Sequence, residues 1–192
     1  MHIRWLLLST IAALSTAASA KAASDEGQVR DAQIRDAMSA APPAVAANAA
    51  VIIHDKDGHR IVARQGSNGW TCHAAALRRD PGDDPLPKPA CFDANGLAFM
   101  QAFMAGHAPD PNRPGYSYML QGGSGWSNID PMAAKLAPGR RDFIRIPPHV
   151  MILSAKIANE SGLPLHETDP DTSKPFVMFG GTPFALMIIP VK

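Results

Sequence analysis

Proline, more than any other residue, limits what this chain can fold into. There are 18 prolines in 192 residues, roughly twice the ordinary share of about 5%. Each lacks a backbone N–H and fixes φ, so none sits comfortably inside a helix or a central strand. Proline and glycine together stay below the share of about 25–30% that marks a disordered chain, and 46% of the residues are apolar. The chain has the apolar content for a core and must build it from short elements joined by proline-stiffened connections.

The first twenty residues read as a secretory leader rather than as part of that core. "MHIR" is a short basic start, "WLLLSTIAALSTAA" is an apolar run, and Ala18-Ser19-Ala20 has the small-x-small spacing of a cleavage site. Cleavage after Ala20 is expected, with Lys21 as the first mature residue. The run is shorter than the roughly 20 apolar residues of a spanning helix and is broken by Ser and Thr. No later stretch approaches a span, so none is expected in the mature chain. The 18 basic and 17 acidic residues nearly balance, which removes the electrostatic basis for binding nucleic acid or an anionic membrane surface. The pairs Arg78-Arg79 and Arg140-Arg141 are isolated and each precedes Asp, as solvated loop charges do. The expected organisation is a cleaved leader at 1–20, an N-terminal helix and linker at 21–45, and one globular domain at 46–192.

Between the prolines the pattern yields an α+β domain. Val29, Ile34, Ala37 and Met38 recur at helical spacing, Asp25 and Glu26 suit a helix start, and Pro42-Pro43 must stop it. A helix over 27–40 follows, with a thin apolar face and a peripheral place. β-branched runs at 50–54 and 59–63 flank "DKDG", a hairpin signal ending in glycine. "WTCH" begins a third strand, and 74–92, with four prolines and several charges, reads as a long surface loop. Asp93 is an N-cap for a core helix over 94–106, with Leu97, Met100 and Met104 on one stripe, Phe99 and Phe103 beside it, and Gly106 at the stop. Residues 116–121 read as a strand, "GGSGWSNIDP" as a glycine-rich turn and 131–148 as irregular. "HVMILS" (149–154) reads as a strand able to run into a short helix through "AKIANE". "FVMF", "GGTP" and "FALMIIPV" spell strand, turn, strand, apolar enough to be central and covered on both faces. The expected fold is an antiparallel sheet of about five to seven short strands, the helix at 94–106 in the core and the helix at 27–40 at the periphery.

Candidate chemistry begins with Cys72 and Cys91, the two cysteines of the chain. An exported chain pairs such residues because its compartment is oxidising, and this pair brackets the proline-rich loop. The alternative is a nucleophilic Cys72 with His73 as its base. Against it, neighbouring side chains on a strand point to opposite faces. Haem attachment would need a second cysteine three residues before Cys72. His54 and His59 flank the hairpin loop and could supply two metal ligands. The loop between them is not a calcium loop, since its twelfth position is Gly66 rather than Glu. Met100, Met104 and His107 fall at i, i+4, i+7, donors that suit cuprous copper, although methionine at that spacing is also ordinary core filler. "GGSGWS" puts Trp126 where a nucleophile elbow needs glycine. Ser154 and Lys156 are one residue too close for an S-x-x-K pair. Neither a zinc-protease H-E-x-x-H nor a phosphate loop is present, and no cofactor is indicated. A triad from distant residues would draw on His149, His166, Asp130 and Asp142, with His149 at a strand start after Pro147-Pro148 the first to test. Trp70 and Trp126 each stand beside Gly, Ser and Asn at a turn, a ligand platform or a cap on the sheet end.

The succession of "NGWTC", a later Cys, "YML", "SNIDP", "PPHVMI" and "FVMFGGTPFALMIIPV" resembles an uncharacterised family of small exported bacterial proteins, over about residues 43–192. The resemblance implies a periplasmic or secreted bacterial protein and carries no activity, cofactor or site residue. The expected function is a disulfide-stabilised, non-catalytic domain that binds an envelope protein or a small ligand. The alternatives are a small exported hydrolase with a dispersed site near His149, and a periplasmic copper or other metal binder.

Overall fold

The computed structural model describes residues 11–75, 88–133 and 143–191 and, within them, all side chains but those of 11–24, 124–126 and 143. The first ten residues of the expected leader, most of the 74–92 connection, both arginine pairs and Asp142 lie outside the described residues. The described residues open with helix α1 (Ile11–Ser39) and a single turn, α2 (Pro43–Ala46), followed by strands β1 (Ala50–His54), β2 (Arg60–Arg64), β3 (Trp70–His73) and β4 (Ala90–Asp93). Helix α3 (Ala94–Met104) leads to β5 (Gly115–Met119), β6 (Gly123–Ser127), β7 (Phe143–Ile146) and β8 (His149–Leu153). A short helix α4 (Ala155–Asn159) precedes β9 (Phe176–Met178) and β10 (Leu186–Pro190).

Eight strands form one mixed sheet in the order β2-β1-β3-β4-β5-β8-β10-β9, and β6 pairs with β7 as a separate ribbon. The fold is α+β, but the sheet is larger than expected and not wholly antiparallel. β2 folds back on the outer side of β1, which leaves the inner side of β1 to pair in parallel with β3. Three strands fall where the pattern predicts none. β4 is a four-residue strand at the end of the proline-rich connection. β6 lies within the glycine-rich "turn", and β7 within the stretch read as irregular. Each is too short, or too rich in glycine, to show a period of its own.

The helices differ from expectation at their ends. α1 is already helical at Ile11, the first described residue, well before the expected start near 27, because the alanine-rich run at 17–23 is itself a strong helix former. Asp25 and Glu26 therefore lie within the helix, not at its start. α1 ends at Ser39. Pro42 and Pro43 then open α2 at its N-cap and first position, where a missing N–H costs nothing. α3 starts where Asp93 predicts. The Asp93 carboxylate accepts from Gly96 N at 2.7 Å and also from Tyr116 N at 2.9 Å, tying the helix start to β5.

Strict alternation along the strands separates two cores. One face of the sheet carries Phe92, Met151, Leu153, Phe176, Met178, Leu186 and Ile188, packed with Phe99 and Phe103 of α3 and Ile144 and Ile146 of β7. α3 lies close to β5 because both chains use glycine there: a Cβ on Gly115 would stand 2.2 Å from Gly96 N. The buried stripe of α3 is thus Gly96, Phe99 and Phe103, while Leu97 and Met100 pack at its margin and Met104 is 67% exposed. The opposite face carries Val51, Ile53, Cys72 and Cys91 under Ala37 and Ala40 of α1. Alanine brings that helix close to the strands, so its last turns dock tightly, whereas Val29 stays exposed. A smaller cluster of Ala158, Val177 and Ala185 seats α4. β9 is buried on both faces as predicted, yet it ends the sheet instead of lying in its centre. Among the described residues no helix is long and apolar enough to cross a membrane.

Candidate functional site

Cys72 and Cys91 are bonded to each other. They are direct partners in the β3–β4 ladder, both fully buried, with Cys91 Sγ 3.7 Å from the Ala37 carbonyl of α1. His73 points to the opposite face, as strand geometry requires. Its ring meets Phe92 edge-on, with centroids 5.9 Å apart.

His54 and His59 do not meet. The register sets His54 opposite Arg60, because the loop closes with Asp55 N donating to the His59 carbonyl at 2.9 Å. His59 then turns to solvent, its Nδ1 3.2 Å from Asp55 Oδ2. Asp55, Asp57 and His59 bring ligand atoms within 4.8 Å of one another, but Lys56 already pairs with Asp57. The neighbour of His54 on its own face is His73, since Ile52 pairs with His73 and His54 follows by two. His54 Nδ1 and His73 Nε2 are both buried without a hydrogen bond. Burial, and then the charge of Arg60, lowers the pKa of each; for His73 it falls to about 4. The Arg60 charge that bears on both rings disfavours a cation between them.

His149 lies in the larger core, 1% exposed. Its Nδ1–H donates to the Pro147 carbonyl at 2.7 Å, which fixes the tautomer and leaves Nε2 as a bare lone pair. Nε2 is buried and has no partner. Burial lowers the pKa of the ring, partly opposed by the bond to Pro147. Across the ladder stands Met119, and a Cβ on Gly123 would touch both His149 Cε1, at 3.5 Å, and the Met119 methyl, at 3.8 Å. Ser117, on the same face of β5, is likewise buried with an unpaired hydroxyl.

The other candidates are dispersed. Asp130 is exposed in the turn after β6, where Oδ1 accepts from Met132 N at 3.0 Å. His166 is exposed before β9, its ring against Gly181. Among the described residues no hydrogen bond or ion pair joins His149, His166 and Asp130 to one another. Met100 packs on the core, whereas Met104 and His107 are exposed, and His107 lies beyond Gly106, which ends the helix at φ 71°. Helical spacing therefore does not gather these three into one site. Trp70 packs against Tyr118 at 5.2 Å on the α1 face. Trp126 is on β6, its side chain outside the described residues.

An open cleft of about 470 Å³ lies between Pro111-Asn112, α4 and the turn at 181–183. Phe179, at φ 57°, starts that turn. Its N–H donates to the Asn128 carbonyl at 2.7 Å, and its carbonyl accepts from Thr182 Oγ1 at 2.7 Å. Asn159 Oδ1 accepts from Gly181 N at 2.8 Å and so ties the turn to α4. Lys156 and Glu160 line the cleft, one helical turn apart, both exposed and in no ion pair among the described residues. The sequence reading missed this cleft because its walls come from three separated segments. It also missed the pairing of Met119 with His149, which depends on β5 and β8 being neighbours. No protein-family model matches the chain, and no curated protein or solved structure matches it either.

Proposed function

We propose that the chain is an exported, disulfide-braced domain that binds a small polar ligand in the cell envelope and performs no catalysis. The observation that carries this reading is the cleft beside α4. Its volume of about 470 Å³ is within the range of roughly 300–1,000 Å³ typical of small-molecule sites. It offers a cation, a carboxylate and amide groups, with neither a nucleophile nor a base positioned by a third group. Lys156 and Glu160 suit a ligand that carries both charges, such as a free amino acid or a short peptide. The buried disulfide fits an oxidising compartment, and the leader-like start supplies the route to it.

The hydrolase alternative draws support from the free Nε2 of His149. Its other nitrogen, however, is held by a carbonyl and not by a carboxylate, and among the described residues Nε2 has no hydrogen-bond partner. The test is a thermal-shift screen of the mature protein against amino acids, short peptides and sugars. A hit should be lost in K156A and E160A. Ester, amide or phosphate turnover by the wild type that disappears in His149→Ala would overturn the non-catalytic reading. Sequencing of the secreted product should give Lys21 first.

A further inference from the structure

The core around His149, at the end of β8 away from the cleft, holds a second, separate feature. We propose that His149 Nε2 and the Met119 thioether form a buried site for a monovalent soft cation, cuprous copper, with Met151 as the third donor.

Four observations converge on this. First, the bond from Nδ1–H to the Pro147 carbonyl is the outer-shell contact that metal-ligating histidines use to fix ring and tautomer. Second, the nitrogen so presented has no protein partner although it is fully buried. An unsatisfied buried polar atom is costly, so an occupant that engages it is favoured. Third, both sulfurs belong to the same sheet face. Met119 is the direct ladder partner of His149, and Met151 follows His149 by two on β8 and is buried in the same core. A Cβ on Gly123 would stand 3.5 Å from His149 Cε1 and 3.8 Å from the Met119 methyl, so both side chains border the same glycine of β6. Fourth, Met119 is only half-buried, which gives an ion a way in from the surface.

The donor set selects the ion. Imidazole and thioether are neutral, and soft sulfur favours Cu(I) over Zn(II) or any hard cation. The walls named here, Ile146 and the two methionines, are apolar, so a dication would keep its full charge in a medium of low polarity. A single positive charge shared among soft neutral donors is tolerated. Met100, Met104 and His107, the copper ligands that helical spacing predicts, are not part of this arrangement.

The experiment uses the folded, disulfide-intact protein titrated with Cu(I), held reduced by ascorbate, against a chromophoric Cu(I) chelator. One equivalent should bind per chain, with nitrogen and sulfur scattering in the copper X-ray absorption spectrum. M119L keeps volume and polarity of the core close to native and should weaken binding at least tenfold. M119L/M151L should abolish it, and both variants should retain the native near-ultraviolet circular dichroism. M104L/H107A, on the exposed helix end, should bind as the wild type does. Silver(I) added to ¹⁵N-histidine-labelled protein should move the His149 Nε2 resonance and leave Nδ1 nearly unchanged, a readout that needs no variant to fold. No stoichiometric binding by the wild type, with a water on Nε2 in its place, would overturn the proposal. So would Cu(I) affinity unchanged in M119L/M151L, or lost in M104L/H107A.

Discussion

Opening the Cys72–Cys91 bond should lower stability mainly by freeing the unfolded chain. The two residues are 19 positions apart. Closing a loop of that size restricts the unfolded ensemble by about 3 kcal/mol on the chain-entropy account. The folded side should change little, because Cys72 and Cys91 are already ladder partners, held in place by β1 beside β3 and by β5 beside β4. Reduction keeps both sulfurs and should cost that roughly 3 kcal/mol alone. C72A/C91A also deletes two atoms from beneath Ala37 and Ala40, where both cysteines are 0% exposed; that adds about 1–2 kcal/mol of lost packing. The assay is urea unfolding followed by circular dichroism, with the oxidised protein as reference. At about 2–4 °C per kcal/mol for a chain of this size, the double variant should melt roughly 8–20 °C lower. Its m-value should rise, since the uncrosslinked chain exposes more surface. A double variant within 1 kcal/mol of the wild type would refute the reasoning. It would mean that the proline-rich connection is already restricted without the bond.

Gly115→Ala forces a Cβ against the backbone of Gly96 at 2.2 Å and should destabilise by about 3 kcal/mol as α3 is pushed off β5. Gly27→Ala, on an exposed stretch of α1 with nothing within 4 Å, should stabilise by up to about 1 kcal/mol; thermal melts of the two compare a packed glycine with a free one. Asp93→Ala removes the acceptor for both Gly96 N and Tyr116 N and should cost about 1–2 kcal/mol, measured by chemical unfolding. His73 has its pKa lowered from 6.5 to about 4 in the folded protein, so the unfolded chain takes up the proton first. Stability should be level with respect to this group above about pH 6.5 and fall from there to pH 4, by up to about 3 kcal/mol in total. His73→Gln should make that slope shallower by up to one proton in a pH series of urea melts, and an unchanged slope would show that His73 is not the group responsible.

The elements most legible in the sequence are those whose signal is local. Asp93 capped its helix as expected, α1 ended at Ser39, ahead of Pro42-Pro43, and the cysteines found each other. β1, β2, β8 and β10 show β-branched or apolar runs long enough to reveal a strand. β4 does not: four residues, Ala90–Asp93, have no period, and their strand character comes from the flanking β3 and β5. The stripe of α3 was misread for a similar reason. Methionine and leucine are apolar enough to imply the buried side, but the close approach of β5 at Gly115 orients Gly96, Phe99 and Phe103 inward. Residue type also fails to assemble sites. His54 and His59 look like a pair along the chain, yet the parallel register of β1 and β3 sets His73 opposite Ile52, two residues from His54 on the same face. That neighbourhood, like the pairing between Met119 and His149, exists only once the strand order is known.

The strand order also separates what holds the molecule together from what it offers to a ligand. The disulfide belongs to the α1 face at β3 and β4. His149 and Met119 belong to the α3 face at β5 and β8, and the cleft sits beyond the far end of β8. On a strand, adjacent residues face opposite ways, so the alternation that buries Cys91 under α1 sends Phe92 into the other core. Among the described residues the two clusters lie on opposite faces of the sheet. Perturbations on opposite faces with no shared side-chain partner tend to add. Loss of the disulfide should therefore lower global stability while leaving the geometry around His149 intact in the molecules that remain folded. The same separation explains why the larger core can hold buried polar atoms without hydrogen bonds. Ser117 Oγ and His149 Nε2 sit among phenylalanine, leucine and isoleucine, whose burial offsets the cost of each unpaired group. The alanine-lined core under α1 has less apolar area with which to do so, and there the chain uses a covalent bond.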